Sequence, residues 1–219
     1  MPGAGVTKRV STRFIVVRHG ETRWNVEGRI QGQGDSPLTE HGLAQAEAIA
    51  GRLARERFDV LVASDLGRAM QTAAPIAARC GLEVIADARL RERSFGEGEG
   101  LSYAEIDRRW PDIFTRAGTT DPDRVIPGGE SRRQFHERVR AALEALAREH
   151  AGRRVAVVSH GGVVAAVYRI VHDIPVAHAH RVPIANAAYN AVAFDGDAWA
   201  LEAWDDTDHL PDAVPFVES

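Results

Sequence analysis

Four short apolar runs rich in β-branched residues recur along the chain, at Arg13 to Val17, Asp59 to Ala63, Leu82 to Ala86 and Arg154 to Val158. Continuous rather than alternating apolarity marks strands buried on both faces, so these predict the inner strands of a sheet. Between them the apolar period lengthens to that of a helix. Leu43, Ala46, Ala50 and Leu53 share one helical face, and Leu66 to Ala78 reads as a helix that Gly81 stops. Ser102-Tyr103-Ala104-Glu105 and Ser131-Arg132-Arg133-Gln134 have capping-box spacing, in which hydroxyl and later side chain satisfy each other's backbone donors, so two further helices should begin there. The second carries Phe135, Val139, Ala142 and Leu146 on one face. Gly161-Gly162 opens an apolar helix to about Val171, and Tyr189 to Phe194 with Trp199 to Trp204 flank Asp195-Gly196-Asp197 as a hairpin. Alternating strands and helices predict an α/β fold with a parallel sheet that turns antiparallel at its end.

The 219 residues suffice for one substantial core and contain no linker-like stretch, so one domain is expected over residues 13–208. Residues 1–12, without an apolar signal core, and residues 209–219 are expected to be tails. A formal net charge of −4 offers no basic field to nucleic acid or anionic lipid, so neither is an expected partner and any phosphate affinity must be local. No run is long and apolar enough to suggest a membrane span. Cys80 is the only cysteine, which excludes an intrachain disulfide and a multi-thiolate zinc site and fits a cytoplasmic setting. The Asp, Pro, Thr and Gly cluster of Arg116 to Gly129 predicts a loop able to cover a site.

Four segments put functional groups just after a strand or at a helix start: Arg18-His19, Ser64 to Arg68, Glu92, and Ser159-His160-Gly161-Gly162. In an open α/β sheet the carboxyl ends of parallel strands face the ligand crevice. His19 and His160 each follow an apolar strand, so neighbouring strands would bring both imidazoles to one edge. Imidazole can attack phosphorus to give a phosphohistidine, and arginine offers a planar fork suited to phosphate oxygens. Gly20 would let the backbone approach a ligand closely. Arg68 lies early in its helix, where both its side chain and nearby backbone N–H groups could face an anion.

At these residues the sequence resembles the histidine phosphatase superfamily, also called phosphoglycerate mutase-like. Arg18-His19-Gly20-Glu21-Thr22 matches its signature. The resemblance continues through Trp24-Asn25, Gln31-Gly32, Asp35 to Thr39 and Ser64 to Ala73, then Leu90-Arg91-Glu92, Gly128 to Ser131 and Val158 to Gly162. It implies a three-layer α/β/α sandwich with a mostly parallel mixed sheet. It also implies that His19 is the nucleophile, that Arg18, Arg68 and His160 hold the phosphoryl group, and that Glu92 is the general acid and base. Asn25, Gln31, Gly32, Gly161 and Asn186 correspond to substrate-binding positions. The implied substrate is a small phosphorylated metabolite, with no metal and no cofactor. The oligomeric state is left open, a homodimer being one option.

The implied activity is phosphomonoester hydrolysis through phosphohistidine. The alternative is a phosphoglycerate mutase, which shares the first half-reaction and would bring in 2,3-bisphosphoglycerate as cofactor. A shorter stretch after Glu92 than in cofactor-dependent mutases, and Glu92-Arg93-Ser94-Phe95 where their pattern ends in tyrosine, favour the phosphatase branch. A non-catalytic phosphate-binding protein is a third reading, against which the full set of His19, Glu92 and His160 weighs. His178 and His180 have strand spacing but no evident third ligand for a metal. Gly96, Gly98 and Gly100 lack the ending of a nucleotide P-loop and predict a flexible rim beside Glu92. Trp199 and Trp204 read as hairpin packing.

Overall fold

The computed structural model describes residues 11–111, 113–114 and 121–210. Its strands are β1 (Thr12–Arg18), β2 (Val60–Ala63), β3 (Val84–Ala86), β4 (Arg154–Ser159), β5 (Tyr189–Phe194) and β6 (Trp199–Asp206). The helices are α1 (Arg23–Val26), α2 (Glu40–Leu53), α3 (Gly67–Cys80), α4 (Tyr103–Arg109), α5 (Arg132–Glu149) and α6 (Gly161–Val171). The sheet order is β3-β2-β4-β1-β5-β6. The pairings β3/β2, β2/β4 and β4/β1 are parallel, whereas β5 runs antiparallel to both β1 and β6.

Alternate residues of each inner strand go to opposite faces, and both faces are covered. Phe14, Val16, Val60, Val62, Val155 and Val157 pack under α5 and α6. Ile15, Val17, Leu61, Ala63, Ala156 and Val158 pack under α2 and α3. This is the three-layer α/β/α sandwich, and it explains why the inner strands read as unbroken apolar runs. Both expected capping boxes form, at Ser102 and Ser131. Gly81 ends α3 in the left-handed conformation, with φ of 66°. Trp199 stacks on Phe194 and packs at a tilt against Phe14, and Trp204 packs edge-on to Tyr168 while its Nε1 donates to the Pro183 carbonyl.

Four details differ from the sequence pattern. The Leu82 to Ala86 run predicts an inner strand, but β3 lies at the edge of the sheet with Ile85 half exposed, since among the described residues only β2 pairs with it. Leu43 is half exposed, and the buried stripe of α2 runs instead through Gly42, Ala46, Ile49, Ala50 and Leu53. The domain also takes in residues assigned to the tails. Thr12 is buried in β1 with its hydroxyl donating to the Ala147 carbonyl, Leu210 joins the α2/α3 core, and His209 Nε2 bonds the Ala187 carbonyl. The rest of both expected tails lies outside the described residues. Finally, Gly96 to Gly98 form a single 3₁₀ turn, tied down where the Glu99 carboxylate accepts from the backbone N–H groups of Gln33 and Phe95. The expected flexible rim is thus a pinned turn.

A third cluster, Ile30, Ile106, Ile113 and Ile126 with Phe95 and Phe114, joins the segments around α4 into a wall over one end of the sheet. The expected covering loop lies partly here: residues 121–129 contribute Ile126 to that wall, while 115–120 are outside the described residues.

Candidate active site

In the parallel pairing of β1 with β4, Arg18 is the partner of Ser159, so the next residues, His19 and His160, emerge side by side. Their ring centroids are 5.3 Å apart, nearly edge to face. Both imidazoles are buried. His19 Nδ1 lies 2.7 Å from the carbonyl of Gly20, and Arg68 Nε lies 3.3 Å from His19 Nε2. A carbonyl can only accept and a guanidinium can only donate, so Nδ1 carries the proton and Nε2 presents its lone pair. The hydrogen-bond network thereby fixes the tautomer that a nucleophile needs.

Arg68, 1% exposed, enters from the first turn of α3. Its Nη1 donates to the Gly34 carbonyl at 2.7 Å and its Nη2 to the Gly32 carbonyl at 2.6 Å. Gly32 has φ of +53°, and a Cβ there would strike the Glu99 carboxylate, so glycine is required for the loop to turn its carbonyl onto the guanidinium. The backbone N–H of Arg68 is directed at Asp35 Oδ1, 3.4 Å away. The sequence suggested that this amide would face an anion in the crevice; instead Asp35 occupies it, and the side chain alone reaches the site. Arg18 Nη1 donates to the Ile184 carbonyl.

Glu92 sits on the loop after β3. Its Oε2 accepts from the Gly162 N–H at the start of α6, and its Oε1 from the Arg93 N–H. A Cβ at Gly162 would collide with that carboxylate, so the second glycine of the pair is what lets Glu92 lie against the helix end. Arg138 fixes the loop from behind, donating to the carbonyls of Arg89, Arg91 and Glu92 and pairing with Glu130. No short-range pattern announces the hold of Arg138 on this loop, because its three carbonyl partners lie more than forty residues upstream.

These groups border a cavity of about 370 Å³ whose lining includes Arg18, His19, Asn25, Gln31, Gly32, Arg68, Glu92 and Gly161. Two of the expected residues lie outside its wall. Asn186 was assigned to substrate; its amide instead donates to the backbone carbonyl of His19, 2.8 Å away, which makes it a support for the nucleophile's backbone. His160 is fully buried beside His19 and is not among the lining residues, its Nε2 2.8 Å from the Ser64 hydroxyl and its Nδ1 buried without a hydrogen-bond partner. Gly20 also acts differently from expectation. A Cβ there would strike the Gly42 carbonyl, so the close approach is to the start of α2 and not to a ligand. Asn25 Oδ1 is engaged by Thr22 in the capping box of α1. Among the described residues no group of three or more His, Cys, Asp or Glu could hold a metal ion, and no helix is long and apolar enough to cross a membrane. His180 stacks on Tyr168, while His178 is exposed.

The model of the histidine phosphatase superfamily, branch 1, matches residues 14–207, which takes in every candidate residue and all of the strands but the first two residues of β1. The chain belongs to the histidine phosphatase superfamily. It is 43% identical to a metal-independent phosphoserine phosphatase of Arabidopsis thaliana, over 94% of this chain and 86% of that one. It is 40% identical to phosphoglycerate mutase-like protein 4 of the same plant, over 94% and 90% respectively. Among solved structures, a mycobacterial glucosyl-3-phosphoglycerate phosphatase complexed with VO3 superposes with a TM-score of 0.75 at 32% identity, covering 89% of this chain and 99% of that one.

In this histidine phosphatase superfamily member the electrostatics of the paired imidazoles follow from their setting. Burial, then the charges of Arg68 and Arg18, hold His19 well below the ordinary histidine value, against a smaller upward pull from the Gly20 carbonyl. Burial, then Arg68 and His19, do the same to His160. Both are therefore neutral in the folded protein, while in the unfolded chain each takes up a proton below about pH 6.5. Their stabilisation is complete above that pH and is lost as pH falls toward the depressed folded values. The expected cost is about 1.4 kcal/mol per pH unit for each ring. Urea unfolding from about pH 7.5 to about pH 5 should show this slope, reduced by one group's share in His160→Asn. Equal slopes in the two proteins would contradict it.

Proposed function

We propose that the protein is a metal-independent phosphomonoesterase that works through a phosphohistidine on His19. The observation that carries this reading is the fixed tautomer: Nδ1 is held by the Gly20 carbonyl, which leaves the Nε2 lone pair beside the Arg68 guanidinium. In the first step Nε2 attacks phosphorus, the P–O bond to the leaving group breaks, and the departing oxygen takes a proton from Glu92. In the second, water attacks the phosphohistidine, Glu92 receives its proton, and the P–N bond breaks to release inorganic phosphate. Charge on the transferring oxygens is met by Arg18 and Arg68. The buried, unpartnered Nδ1 of His160 gains a partner if a phosphoryl oxygen reaches it.

Nucleophile, charge and proton are all supplied by the chain, so the reading calls for no cofactor and a small phosphorylated metabolite as substrate. The names of the relatives, a phosphoserine phosphatase and a phosphoglycerate mutase-like protein, agree on phosphoryl chemistry and differ in substrate.

The role of Glu92 predicts a dependence on the leaving group. Glu92→Gln should lower kcat by roughly 10²–10⁴-fold for alkyl phosphates, whose alkoxide needs a proton, and much less for p-nitrophenyl phosphate. Equal losses for both would remove Glu92 from the acid role. Running the assay with and without 2,3-bisphosphoglycerate and a phosphoglycerate separates hydrolysis from mutase transfer, since only the latter yields a rearranged ester.

A further inference from the structure

The peptide between Gly32 and Gln33 stands between two charges. Its C=O accepts from Arg68 Nη2 at 2.6 Å, and its N–H donates to Glu99 Oε1 at 2.9 Å. A planar trans peptide points these two groups in opposite directions, so one amide spans the gap from guanidinium to carboxylate. Each charge polarises the amide toward the other, which strengthens both hydrogen bonds. The packing is close: a Cβ on Gly32 would strike Glu99 Oε1, and one on Gly34 would lie 3.4 Å from Oε2. Gly34 supplies the second carbonyl that holds Arg68.

The same carboxylate oxygen reaches the loop that carries Glu92. Glu99 Oε1 also accepts from the Phe95 N–H at 3.0 Å and lies 3.4 Å from the Ser94 hydroxyl. Gln33 adds a second tie, its Nε2 donating to the Glu92 carbonyl at 3.2 Å. Glu99 therefore joins the loop that orients Arg68 to the loop that carries Glu92, although it does not line the cavity. Its charge is also felt at the guanidinium: burial lowers Arg68, while Glu92, Asp35 and then Glu99 pull it back up. Asp35 approaches Arg68 directly, at 3.7 Å, but its side chain is 53% exposed, where an ion pair contributes little.

We infer that Glu99 is a positioning residue for phosphoryl transfer. Through the peptide of Gly32 and Gln33 it aims Arg68 at the transferring phosphoryl group, and through the Phe95 N–H it holds the Glu92 loop in register with that cation. The inference rests on the phosphatase reading and adds to it a residue that acts through others.

The test is kcat for p-nitrophenyl phosphate in a double-mutant cycle. Glu99→Ala should lower it by roughly ten- to a hundredfold, the cost of a small misplacement of a group that meets the transition state. Glu99→Gln, which offers a carbonyl oxygen to the same N–H groups, should recover most of that loss. In Arg68→Ala the further change Glu99→Ala should cost little, because its effect runs through a guanidinium already removed. Folding is checked by circular dichroism, and where either alanine variant does not fold, Glu99→Asp and Arg68→Lys take their places in the cycle. A role in stability alone would cost the same factor with and without Arg68, and that result overturns the inference. So does a Glu99→Ala protein as fast as the unaltered one, or a Gln variant no better than Ala. Calorimetric binding of orthovanadate separates this claim from the phosphatase reading. Weaker binding in Glu99→Ala, where the unaltered protein turns over no ester, keeps Glu99 as the residue that aims Arg68 at a bound oxyanion and sinks the phosphatase reading. Turnover with equal vanadate affinity in the two proteins sinks the positioning role.

Discussion

In His19→Ala, turnover of p-nitrophenyl phosphate in the presence of a chelator is expected to fall by on the order of 10⁴–10⁶-fold, the scale seen when an enzyme loses its nucleophile. The expectation is specific because the ring has no substitute in place. His160 is fully buried with its Nε2 on the Ser64 hydroxyl. Glu92 is engaged by two backbone N–H groups. Neither can move to an in-line position without giving up those bonds. Folding should survive the change, since His19 is a buried neutral ring whose side chain bonds, among the described residues, to the Gly20 carbonyl and Arg68. Steady-state assays on protein of matched circular dichroism provide the measurement, and added imidazole entering the vacated space should restore part of the rate. Full activity in His19→Ala would remove the nucleophile assignment.

Arg68→Ala should be costly in both stability and rate. The guanidinium is the hub of the loop after β1: it satisfies the Gly32 and Gly34 carbonyls, touches His19 Nε2 and lies 3.7 Å from Asp35. Leaving two carbonyls without their donor costs about 1–3 kcal/mol each where they remain buried, so a loss of several kcal/mol in urea unfolding is expected. For the transferring phosphoryl group, loss of one positioned cation is worth about 10²–10³-fold in kcat. The same change removes the Arg68 charge that helps depress His19 and His160, so the acid limb of the pH–rate profile should move to higher pH. Arg68→Lys separates charge from geometry: an ammonium restores the charge but cannot bridge two carbonyls and an imidazole with one planar fork. A lysine variant with ordinary stability and rate would contradict the hub role.

The sheet was legible because its strands are covered on both faces, which turns Phe14 to Val17 and Val155 to Val158 into unbroken apolar runs. The helix ends were legible for a local reason, since caps at Ser102, Ser131 and Gly81 depend on residues within four positions. What failed was the choice between nearly equivalent faces. Stripes through Leu43 and through Ile49 both fit helical spacing, and only packing against the sheet selects the second. In the site, position after a strand was enough to find His19 and His160. The precise work of Gly20, Asn186 and Arg138 was not, because each acts on backbone that is distant in sequence: the start of α2, the His19 carbonyl and the Glu92 loop.

The central claim is the covalent intermediate, and rapid acid-free quenching of the protein with a radiolabelled phosphate ester tests it most directly. The account predicts a phosphoprotein that is labile in acid and stable in base, forms and decays fast enough to carry the steady-state flux, and maps by mass spectrometry to His19. Turnover at full rate with no such species, or with the label on another residue, would contradict it.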